Sequence, residues 1–393
     1  MTVLYFADTR FPIERANGVQ TMATCHALAQ RGHDVTLVVR PDSAPVVRDP
    51  FAFYDLPAIN TLHLHVVPAG GAGRARRLRF LLSAARLAAT RRDAVVLTRD
   101  LGLAAWLVQL PKSRRPPVVY ESHGLADVVA SEMPALLGRP ELAPSAGKLR
   151  RLARREERVW SHAAAYVAIT HALAAELTQR FGSRERTFVV PDGARPADTI
   201  APMTRSHGSF VAAYAGHLYP WKGVDVFVRA LALASGVHGL IVGGHPGEPD
   251  ADRVRALIRE LDLGSRITLT GLVPPRDVIG RLQAADVLVL PNTASAISER
   301  YTSPLKLFEY LTLGRPIVAS DLPSIREVLT DGQTALLVRP GDPAALAAAL
   351  LRVKDHPSLA EALGAGAAAL APRFTWDARA VRVEAALEAA RTS

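Results

Sequence analysis

The sequence lacks the usual features of a secreted or membrane-spanning protein. Cys25 is the single cysteine among 393 residues, which excludes an internal disulfide and a cysteine-built metal site and suits a reducing compartment. No apolar run reaches the roughly 18 residues that a bilayer span requires. The N-terminal MTVLYFADTR has neither a basic region nor a long apolar core, so it does not resemble a signal peptide. These absences predict a cytoplasmic protein and leave open a peripheral position at the inner face of the membrane.

Two motifs of cofactor enzymes are also missing. The loop after the first apolar run contains no GxGxxG, which counts against a dinucleotide cofactor. No cluster of histidine and acidic residues stands out at the spacing of metal ligands. We therefore expect no obligatory cofactor and no obligatory divalent cation.

Lysine is scarce although the chain is strongly basic. The formal net charge is +10 and the pI is near 10.1, yet lysine occurs only at positions 112, 148, 222, 306 and 354. Arginine therefore supplies nearly all of the positive charge. This surplus favours anionic partners such as nucleotides, phosphorylated lipid carriers or a membrane surface. An arginine-rich genome composition is the open alternative, and no nucleic-acid partner is predicted.

The apolar runs form two successive βα arrays, which is more than one ordinary core can hold. Strands are predicted at 2–8, 33–39, 62–68, 94–98, 117–123, 164–170 and 187–191, then at 209–216, 239–244, 266–271, 287–292 and 316–320. The stretch 192–208 lacks periodicity and is predicted to join two domains. The fold class is therefore α/β, with two Rossmann-like domains facing across a cleft. Their predicted bounds are 1–195 and 196–373, and the packing partner of a last helix at 374–393 stays open.

The segment YTSPLKLFEYLTLGRPIVASD (301–321) is the most informative part of the chain. Thr302 and Ser303 are suitable helix N-caps, and Pro304 suits the first helical position. Apolar residues at helical spacing follow, and Gly314 predicts the end of the helix. The free N–H groups at such a helix start favour an anion. Glu309 lies about one and a half turns further on, where a carboxylate could accept from ribose hydroxyls.

This segment resembles the donor-binding signature of retaining glycosyltransferases of the GT-B fold, family 4. In that signature an acidic residue is followed by seven others and then by Glu. Glu309 matches the second acidic position, whereas Tyr301 occupies the first, and Glu299 is two residues away. The resemblance implies a GT-B fold and a nucleoside-diphosphate sugar as donor, held by a site that includes Tyr301, Ser303, Pro304, Leu305, Lys306 and Glu309.

Two further segments match the donor domain of this family. GHLYPWKG follows the first strand of the second domain. Lys222 would neutralise a diphosphate leaving group, and His217 replaces an arginine that the related enzymes commonly carry; Gly216 precedes it. In the segment GLV, the resemblance implies that backbone groups at Leu272 and Val273 hold the base. Each segment also has a plain structural interpretation, a surface lysine and an ordinary strand end.

The first domain carries two segments that the resemblance assigns to the acceptor side. The loop containing Asn17 and Gly18 opens the first helix, where a glycine permits close backbone approach to a ligand. The resemblance implies that this loop closes over the donor phosphate as well as the acceptor, so Gly18 is also a predicted donor-binding residue. ESHG ends a predicted strand, so His123 could contact the transferred sugar and Glu121, on the same strand face, could orient it. A glycine needed for turn geometry and a structural histidine are the alternatives.

The run 73–92 carries seven arginines together with a predicted apolar stripe at Leu78, Leu81, Leu82, Ala85 and Ala89. An interfacial helix that recruits anionic lipid would have this pattern. A surface helix with its apolar face on the sheet is the alternative that the pattern favours. The segment 148–160, with both signs of charge interspersed, indicates a solvated helix face.

The function predicted from these residues is transfer of a hexose from a UDP- or GDP-sugar to a glycan, lipid-linked or small-molecule acceptor. Retention of configuration is implied by the resemblance. His123, Lys222 and Glu309 are the predicted catalytic residues. Two alternatives stay open: a nucleotide-sugar epimerase of the same architecture, and a non-catalytic homologue that binds nucleotides or glycans.

Overall fold

The structure is a computed structural model that describes residues 1–44, 46–68, 73–196, 208–245 and 249–392. It divides into two compact units: Met1–Ser131 with Pro144–Asp192 and Trp376–Ser393, and Glu132–Ala143 with Gly193–Thr375. The division falls after Asp192, three residues before the predicted boundary. Most of the predicted junction, 197–207, lies outside the described residues. None of the helices within the described ranges is both long and apolar enough to cross a membrane.

The first unit alternates strands and helices along the chain. Its elements are β1 (Thr2–Arg10), α1 (Ala16–Gln30), β2 (Asp34–Arg40), α2 (Pro50–Phe53), β3 (Leu62–Val66), α3 (Gly73–Thr90), β4 (Val95–Thr98), α4 (Leu101–Leu107), β5 (Val118–Ser122), α5 (Ala126–Leu136), α6 (Ala146–His162), β6 (Ala165–Ala168), α7 (His171–Phe181) and β7 (Thr187–Val189).

All seven strands predicted for the first half are confirmed. They form one parallel sheet in the order β3-β2-β1-β4-β5-β6-β7. Helices cover both faces of a sheet of this kind, so its central strands are largely buried and mostly apolar. The polar residues Thr98, Glu121 and Ser122 are buried at the carboxyl ends of β4 and β5. Parallel strands place all their carboxyl ends at one edge, so the loops after β1, β4 and β5 lie together.

The second unit repeats this pattern. Its elements are β8 (Phe210–Ala215), α8 (Val224–Leu233), β9 (Val237–Val242), α9 (Pro249–Glu260), β10 (Ile267–Leu269), α10 (Pro275–Gln283), β11 (Val287–Leu290), α11 (Ala296–Arg300), α12 (Leu305–Thr312), β12 (Ile317–Ser320), α13 (Pro323–Arg326), β13 (Leu336–Val338), α14 (Pro343–Asp355) and α15 (Pro357–Leu370). The parallel sheet has the order β10-β9-β8-β11-β12-β13. Its sixth strand, β13, has three residues and was not predicted.

Both sheets reverse their strand order beside their first strand. In the first, β2 and β4 flank β1, and in the second, β9 and β11 flank β8. Open α/β sheets bind ligands beyond the carboxyl ends of the strands at such a reversal. The topology therefore points to the loops after β1 and β4 and to the loops after β8 and β11.

The last helix, α16 (Trp376–Arg391), belongs to the first unit. Ala380, Val383, Ala386 and Leu387 form its buried face and join the core under β1, β4 and β6. Arg379 lies on the same face and is fully buried. A buried arginine needs hydrogen-bond partners, and one partner of Arg379 is Glu121 of the predicted acceptor site.

The apolar stripe predicted for α3 is wrong. The buried residues of this helix are Phe80, Ala84 and Ala88, whereas Leu78 and Leu82 are exposed. Phe80 is the largest apolar side chain of the helix, so the face that carries it is the one that packs on the sheet. Leu78 and Leu82 are left among arginines at the surface.

Candidate active site

The loop after β8 is shaped by two glycines. Gly216 has φ +145° and Gly223 has φ +67°, values that residues with a side chain rarely adopt. A Cβ on Gly223 would stand 1.8 Å from the carbonyl oxygen of Pro291, so the loop packs directly on the segment after β11. Between these glycines, Pro220–Lys222 forms a single 3-10 turn. The turn sets Lys222 just before α8 at the carboxyl edge of the second sheet.

Lys222 is a cation without a counterion. Its side chain is half-buried, and it has no ion-pair or hydrogen-bond partner within the ranges that the structure describes. Burial lowers the pKa of the Lys222 ammonium to about 8. An isolated charge is costly to bury. Lys222 therefore lies where a negatively charged ligand would be stabilised.

His217 is held by aromatic stacking. Its ring lies parallel to that of Tyr219, with centroids 4.9 Å apart, and Tyr219 stacks on Trp221 at 4.7 Å. The Tyr214 hydroxyl donates to the His217 carbonyl oxygen at 2.6 Å. The alternate residues of the loop thus form one stack that fixes the backbone leading to Lys222.

The signature helix starts one residue later than predicted. Pro304 occupies the N-cap position with an extended ψ of 117°, and α12 begins at Leu305. Thr302 does not cap the helix, because its hydroxyl donates to the Ile297 carbonyl oxygen at 2.7 Å. The predicted helix end is confirmed, since Gly314 has φ +60° and follows the C-cap Leu313.

The start of α12 presents backbone donors. The N–H groups of Leu305 and Lys306 make no hydrogen bond to any described group, and the first turn is partly exposed together with Ser303 and Pro304. Lys306 Nζ donates to Glu309 Oε2 at 2.7 Å in an i,i+3 ion pair. Glu309 Oε1 accepts from no described donor. The helix therefore offers amide donors and one carboxylate oxygen on the same side.

Tyr310 joins the two predicted donor motifs. Its hydroxyl accepts from the Ala215 N–H at 2.9 Å and donates to the Val289 carbonyl oxygen at 3.5 Å. Ala215 is the last residue of β8, directly before Gly216. The helix that carries Glu309 is thereby anchored to the strand that leads into the Lys222 loop. GHLYPWKG and the signature helix consequently lie at one edge of the second sheet.

Three glycines, Gly216, Gly243 and Gly271, also lie at this edge of the sheet, and none of them places a side chain there. A Cβ on Gly243 would stand 2.0 Å from the Gly216 carbonyl oxygen, and Gly243 pairs with Gly271 in an isolated bridge. The sequence prediction placed Gly243 and Gly244 within a strand, but β9 ends at Val242. A double glycine at a strand end was the signal that this interpretation missed.

The predicted base-binding residues follow Gly271. Leu272 is exposed, whereas Val273 packs against the core of the second unit. The side chain of Val273 is therefore committed to the fold. Backbone groups and Leu272 are what this segment presents to solvent.

Tyr301 is buried, with 4% of its surface exposed, and the Arg300 guanidinium lies 5.4 Å from the centre of its ring. It follows α11, whose N-cap Ser295 accepts from the Ser298 N–H. Glu299, half-buried on α11, has no ion-pair or hydrogen-bond partner within the described ranges. The side chain at the first signature position is thus packed away, and an unpaired carboxylate lies two residues before it.

In the first unit, Gly18 is required by packing. A Cβ there would stand 2.4 Å from the Tyr54 hydroxyl and 2.6 Å from the Ile13 carbonyl oxygen. The close approach predicted for a ligand is therefore made by the protein's own loop. Asn17, beside it in the first turn of α1, is exposed.

Glu121 is the centre of a buried polar network at the end of β5. Its Oε1 accepts from His123 Nε2 and from Gln20 Nε2, both at 2.6 Å. Its Oε2 accepts from Arg379 Nη2 at 2.6 Å. The guanidinium of Arg379 also donates to the Val190 and Pro191 carbonyl oxygens. Glu121 thus makes the contact with His123 that the predicted orienting role requires, and the two side chains lie on the same side of the strand end.

The charges of this network fix the state of His123. Burial alone would raise the pKa of Glu121, but Arg379 and His123 hold it well below its usual range. Burial, and then the nearby Arg99, lower the pKa of His123 to about 4. His123 is therefore neutral near pH 7. Because Nε2 donates to Glu121, Nδ1 is left as a hydrogen-bond acceptor.

Sequence reasoning missed Gln20, Arg99 and Arg379. Arg99 donates to Gln20 Oε1 at 2.7 Å and so connects the loop after β4 to the network. Arg379 stands 258 positions from Glu121. Its only local signal is an arginine in the apolar stripe of a helix, which should prompt a search for a buried acid.

An Asp-x-Asp triplet, Asp250-Ala251-Asp252, was also overlooked in the sequence. Asp250 lies 3.5 Å from the Arg253 guanidinium and Asp252 lies 2.8 Å from that of Arg255. Across the ranges that the structure describes, no group of three or more histidine, cysteine or acidic residues is placed to hold a metal ion. The expected independence of metal stays a prediction.

Both halves of the chain match glycosyltransferase family models. Residues 17–193 match the "Glycosyl transferase 4-like domain" and residues 209–356 match "Glycosyl transferases group 1". Together these models span most of the chain. The protein therefore belongs to the group 1, family 4-like glycosyltransferases.

Curated relatives are similar in sequence over part of their length. The D-inositol 3-phosphate glycosyltransferase of Acidothermus cellulolyticus is 31% identical over 54% of this chain and 50% of its own, and that of Nocardia farcinica is 29% identical over 70% and 61%. The alpha-D-kanosaminyltransferase of Streptomyces kanamyceticus is 27% identical over 52% and 45%. The chain thus spans 45–61% of the length of these relatives.

Solved structures share the fold over nearly the whole chain. The sucrose-phosphate synthase of Thermosynechococcus elongatus is 18% identical with a TM-score of 0.75, covering 98% of this chain and 97% of its own. The HepE protein of Anabaena, in complex with UDP and glucose, is 18% identical with a TM-score of 0.74, covering 98% and 99%. The predicted GT-B fold, built from two parallel-sheet Rossmann-like domains, is confirmed.

Proposed function

We propose that the protein is a hexosyltransferase that uses a UDP- or GDP-sugar and retains the anomeric configuration. The observation that carries the proposal is the uncompensated ammonium of Lys222 at the edge to which Tyr310 anchors the Glu309 helix. A diphosphate supplies the missing negative charge. The HepE protein of Anabaena has been captured with UDP-glucose, which supports a nucleotide-sugar donor for the shared fold.

The donor would be held by three kinds of group. Lys222 neutralises the charge that develops on the departing diphosphate. The N–H groups of Leu305 and Lys306 at the start of α12 donate to a phosphate. Glu309 Oε1 accepts from the ribose hydroxyls while Lys306 fixes the carboxylate through Oε2. The glycines at 216, 243 and 271 leave this edge open to the nucleoside.

His123 would contact the transferred sugar as a hydrogen-bond acceptor. In its neutral form Nδ1 accepts a hydrogen bond from a sugar hydroxyl, and Glu121 holds the ring through Nε2. The role is positioning, since a group with a pKa of about 4 carries no proton to deliver near pH 7. We infer that the reaction requires no divalent cation, because Lys222 and the α12 amides supply positive charge to the leaving group.

Donor binding tests this proposal at Glu309. Titration calorimetry with UDP-glucose and GDP-mannose should show binding of one of them, and Glu309→Gln should weaken it about tenfold because a charged acceptor is lost. Glu327→Gln, exposed at the end of α13, is the matched control and should bind as the unchanged protein does. Equal affinity of Glu309→Gln and its control would remove Glu309 from the donor site.

Turnover distinguishes the alternative functions. Release of UDP or GDP should require an acceptor, and a panel that includes D-inositol 3-phosphate and simple sugars is the first to test. Proton NMR of the product would show whether configuration is retained, and addition of EDTA should leave the rate unchanged. An epimerised donor formed without acceptor would favour the epimerase. Donor binding without transfer to any acceptor would favour the non-catalytic homologue.

A further inference from the structure

A polar cavity lies in the first unit, away from His123. It has a volume of about 640 Å³ and opens around the residues that precede β5, β6 and β7. These are the amino ends of the strands, whereas His123 follows the carboxyl end of β5. The cavity therefore lies at the opposite edge of the first sheet from the Glu121 network.

The cavity wall is strongly cationic. Five basic side chains and one carboxylate, that of Glu185, line it. The basic residues are Lys112, Arg115, Arg184, Arg186 and Arg391. None of the five bases forms an ion pair with a carboxylate in the part of the chain that the structure describes. Most other buried or half-buried arginines of this unit, such as Arg77 and Arg379, do have such partners. The cavity thus concentrates positive charge that the fold does not neutralise.

Two of these arginines are fixed by backbone carbonyl groups. Arg115 is 8% exposed, and it donates to the Leu110 carbonyl oxygen at 3.1 Å and to that of Pro116 at 3.3 Å. Arg184 Nη2 donates to the Ala163 carbonyl oxygen at 2.9 Å, and Arg184 Nε is buried without any partner among the described groups. Burial lowers the pKa of both guanidinium groups. The carbonyl contacts therefore hold two guanidinium groups in place at the cavity wall, where their charge favours an oxyanion.

We propose that this cavity binds the phosphate group of a small phosphorylated molecule. The charges of Arg115 and Arg184 would attract the phosphate to the cavity wall, and Arg186 and Lys112 would balance the remaining charge. The cavity is several times larger than a phosphate ion, and the apolar side chains of Val108, Pro117 and Phe181 line the rest of it. The ligand therefore carries an uncharged portion beside its phosphate. The residues that line the cavity include none of those proposed to hold the donor.

Phosphate binding can be measured without interference from Lys222. The test uses the full chain carrying Lys222→Ala, titrated with inorganic pyrophosphate and with glycerol 3-phosphate and followed by calorimetry and by melting temperature. We expect one ligand to bind with a single site and to raise the melting temperature. Arg184→Gln should weaken binding at least tenfold. Arg114→Gln, an exposed neighbour that does not line the cavity, should leave binding unchanged.

A second variant guards against misfolding of Arg184→Gln. Arg186 is half-buried, and among the described residues its guanidinium donates only to the Thr392 carbonyl oxygen, at a long 3.5 Å. Arg186→Gln should raise the melting temperature of the ligand-free protein, because it relieves repulsion among the cavity cations, and should reduce the shift produced by the ligand. A lower melting temperature together with an undiminished ligand shift would overturn the proposal.

The source of the phosphate is resolved by a parallel experiment. Sedimentation with phosphatidylglycerol vesicles and with neutral phosphatidylcholine vesicles tests a lipid headgroup. Binding to the anionic vesicles that Arg184→Gln and Arg186→Gln both abolish would support the site with a lipid as its ligand. If neither the soluble phosphates nor the anionic vesicles bind in a manner that depends on these arginines, the cavity is not a phosphate site.

Discussion

The unpaired Lys222 makes a quantitative prediction about stability. The ordinary pKa of a lysine is near 10.5, and burial lowers that of Lys222 to about 8. At about 1.4 kcal/mol per pH unit, this difference means that the charged side chain destabilises the ligand-free fold by up to about 3 kcal/mol. Replacing Lys222 by methionine should therefore stabilise the ligand-free protein at pH 7 while abolishing the gain in stability from the nucleotide.

The pH dependence of this effect has a definite sign. Below pH 8 the ammonium is charged in both the folded and the unfolded chain, so the full penalty applies. Between about pH 8 and 10.5 the folded chain binds fewer protons at Lys222 than the unfolded chain does, so stability rises with pH. Above that range both forms are neutral and the penalty disappears. Lys222→Met should remove this rise.

Thermal unfolding at pH 7 and pH 10 provides the assay. The melting temperature of Lys222→Met should exceed that of the unchanged protein at pH 7, and the two should converge at pH 10. Lys354→Met, on α14 of the same unit, is the matched control, because the Lys354 ammonium already has partners: it donates to the Ser235 carbonyl oxygen at 3.4 Å and lies 3.6 Å from Asp355 Oδ1. UDP should raise the melting temperature of the control and not that of Lys222→Met. A Lys222→Met protein that is less stable than the unchanged protein at pH 7 would refute the reasoning.

Three further predictions concern the remaining site residues. Arg379→Met leaves the Glu121 carboxylate buried beside fewer donors, so it should destabilise the first unit by about 3–5 kcal/mol. The double variant with Glu121→Leu should lose less stability than the sum of the two single changes. An additive result in denaturant titration would show that the pair is not coupled. The value of kcat/KM should fall above about pH 8 as Lys222 of the free enzyme loses its proton and should show no break near 6.5, because His123 has a pKa of about 4; a break near 6.5 that His123→Gln removes would contradict the neutral state of His123. Glu299→Gln should lower kcat about 100-fold if this unpaired carboxylate stabilises the positive charge of the reacting sugar, and an unchanged kcat, measured beside Glu327→Gln, would assign that role elsewhere.

The strands of both sheets were predictable because parallel strands buried on both faces have continuous apolar sequences. The first seven were all found from such runs, with ends that differ by a few residues. β13 escaped because three residues, Leu336–Val338, are too few to form a recognisable run. The buried face of α3 was predicted wrongly because the stripe with the most leucines was taken as the buried one. In the structure, the face that carries the larger side chain of Phe80 is buried.

The local geometry of the candidate site was predictable where its residues lie close in sequence. Lys306 and Glu309 belong to one short helix and Gly314 follows its C-cap, so the structure places all three as local helix rules require. The Glu121 network was only half visible, since His123 is two residues away and Arg379 arrives from the last helix. Contacts over such separations depend on how the whole unit folds, and no local propensity encodes them.

The two lysines of the donor motifs show what local pattern leaves out. In the sequence, Lys222 and Lys306 appear equivalent, since each lies in a motif and each could meet a phosphate. In the structure, Glu309 neutralises Lys306 at 2.7 Å, whereas Lys222 meets no carboxylate in any described segment. A lysine that already forms an ion pair is stabilised little by an added anion. A desolvated lysine without a counterion is stabilised much more, because the anion offsets the cost of its burial. In the proposed donor site, the charge available to a diphosphate would therefore come from Lys222 and from the amides at the start of α12. Lys306 would hold Glu309 in the orientation that leaves Oε1 open.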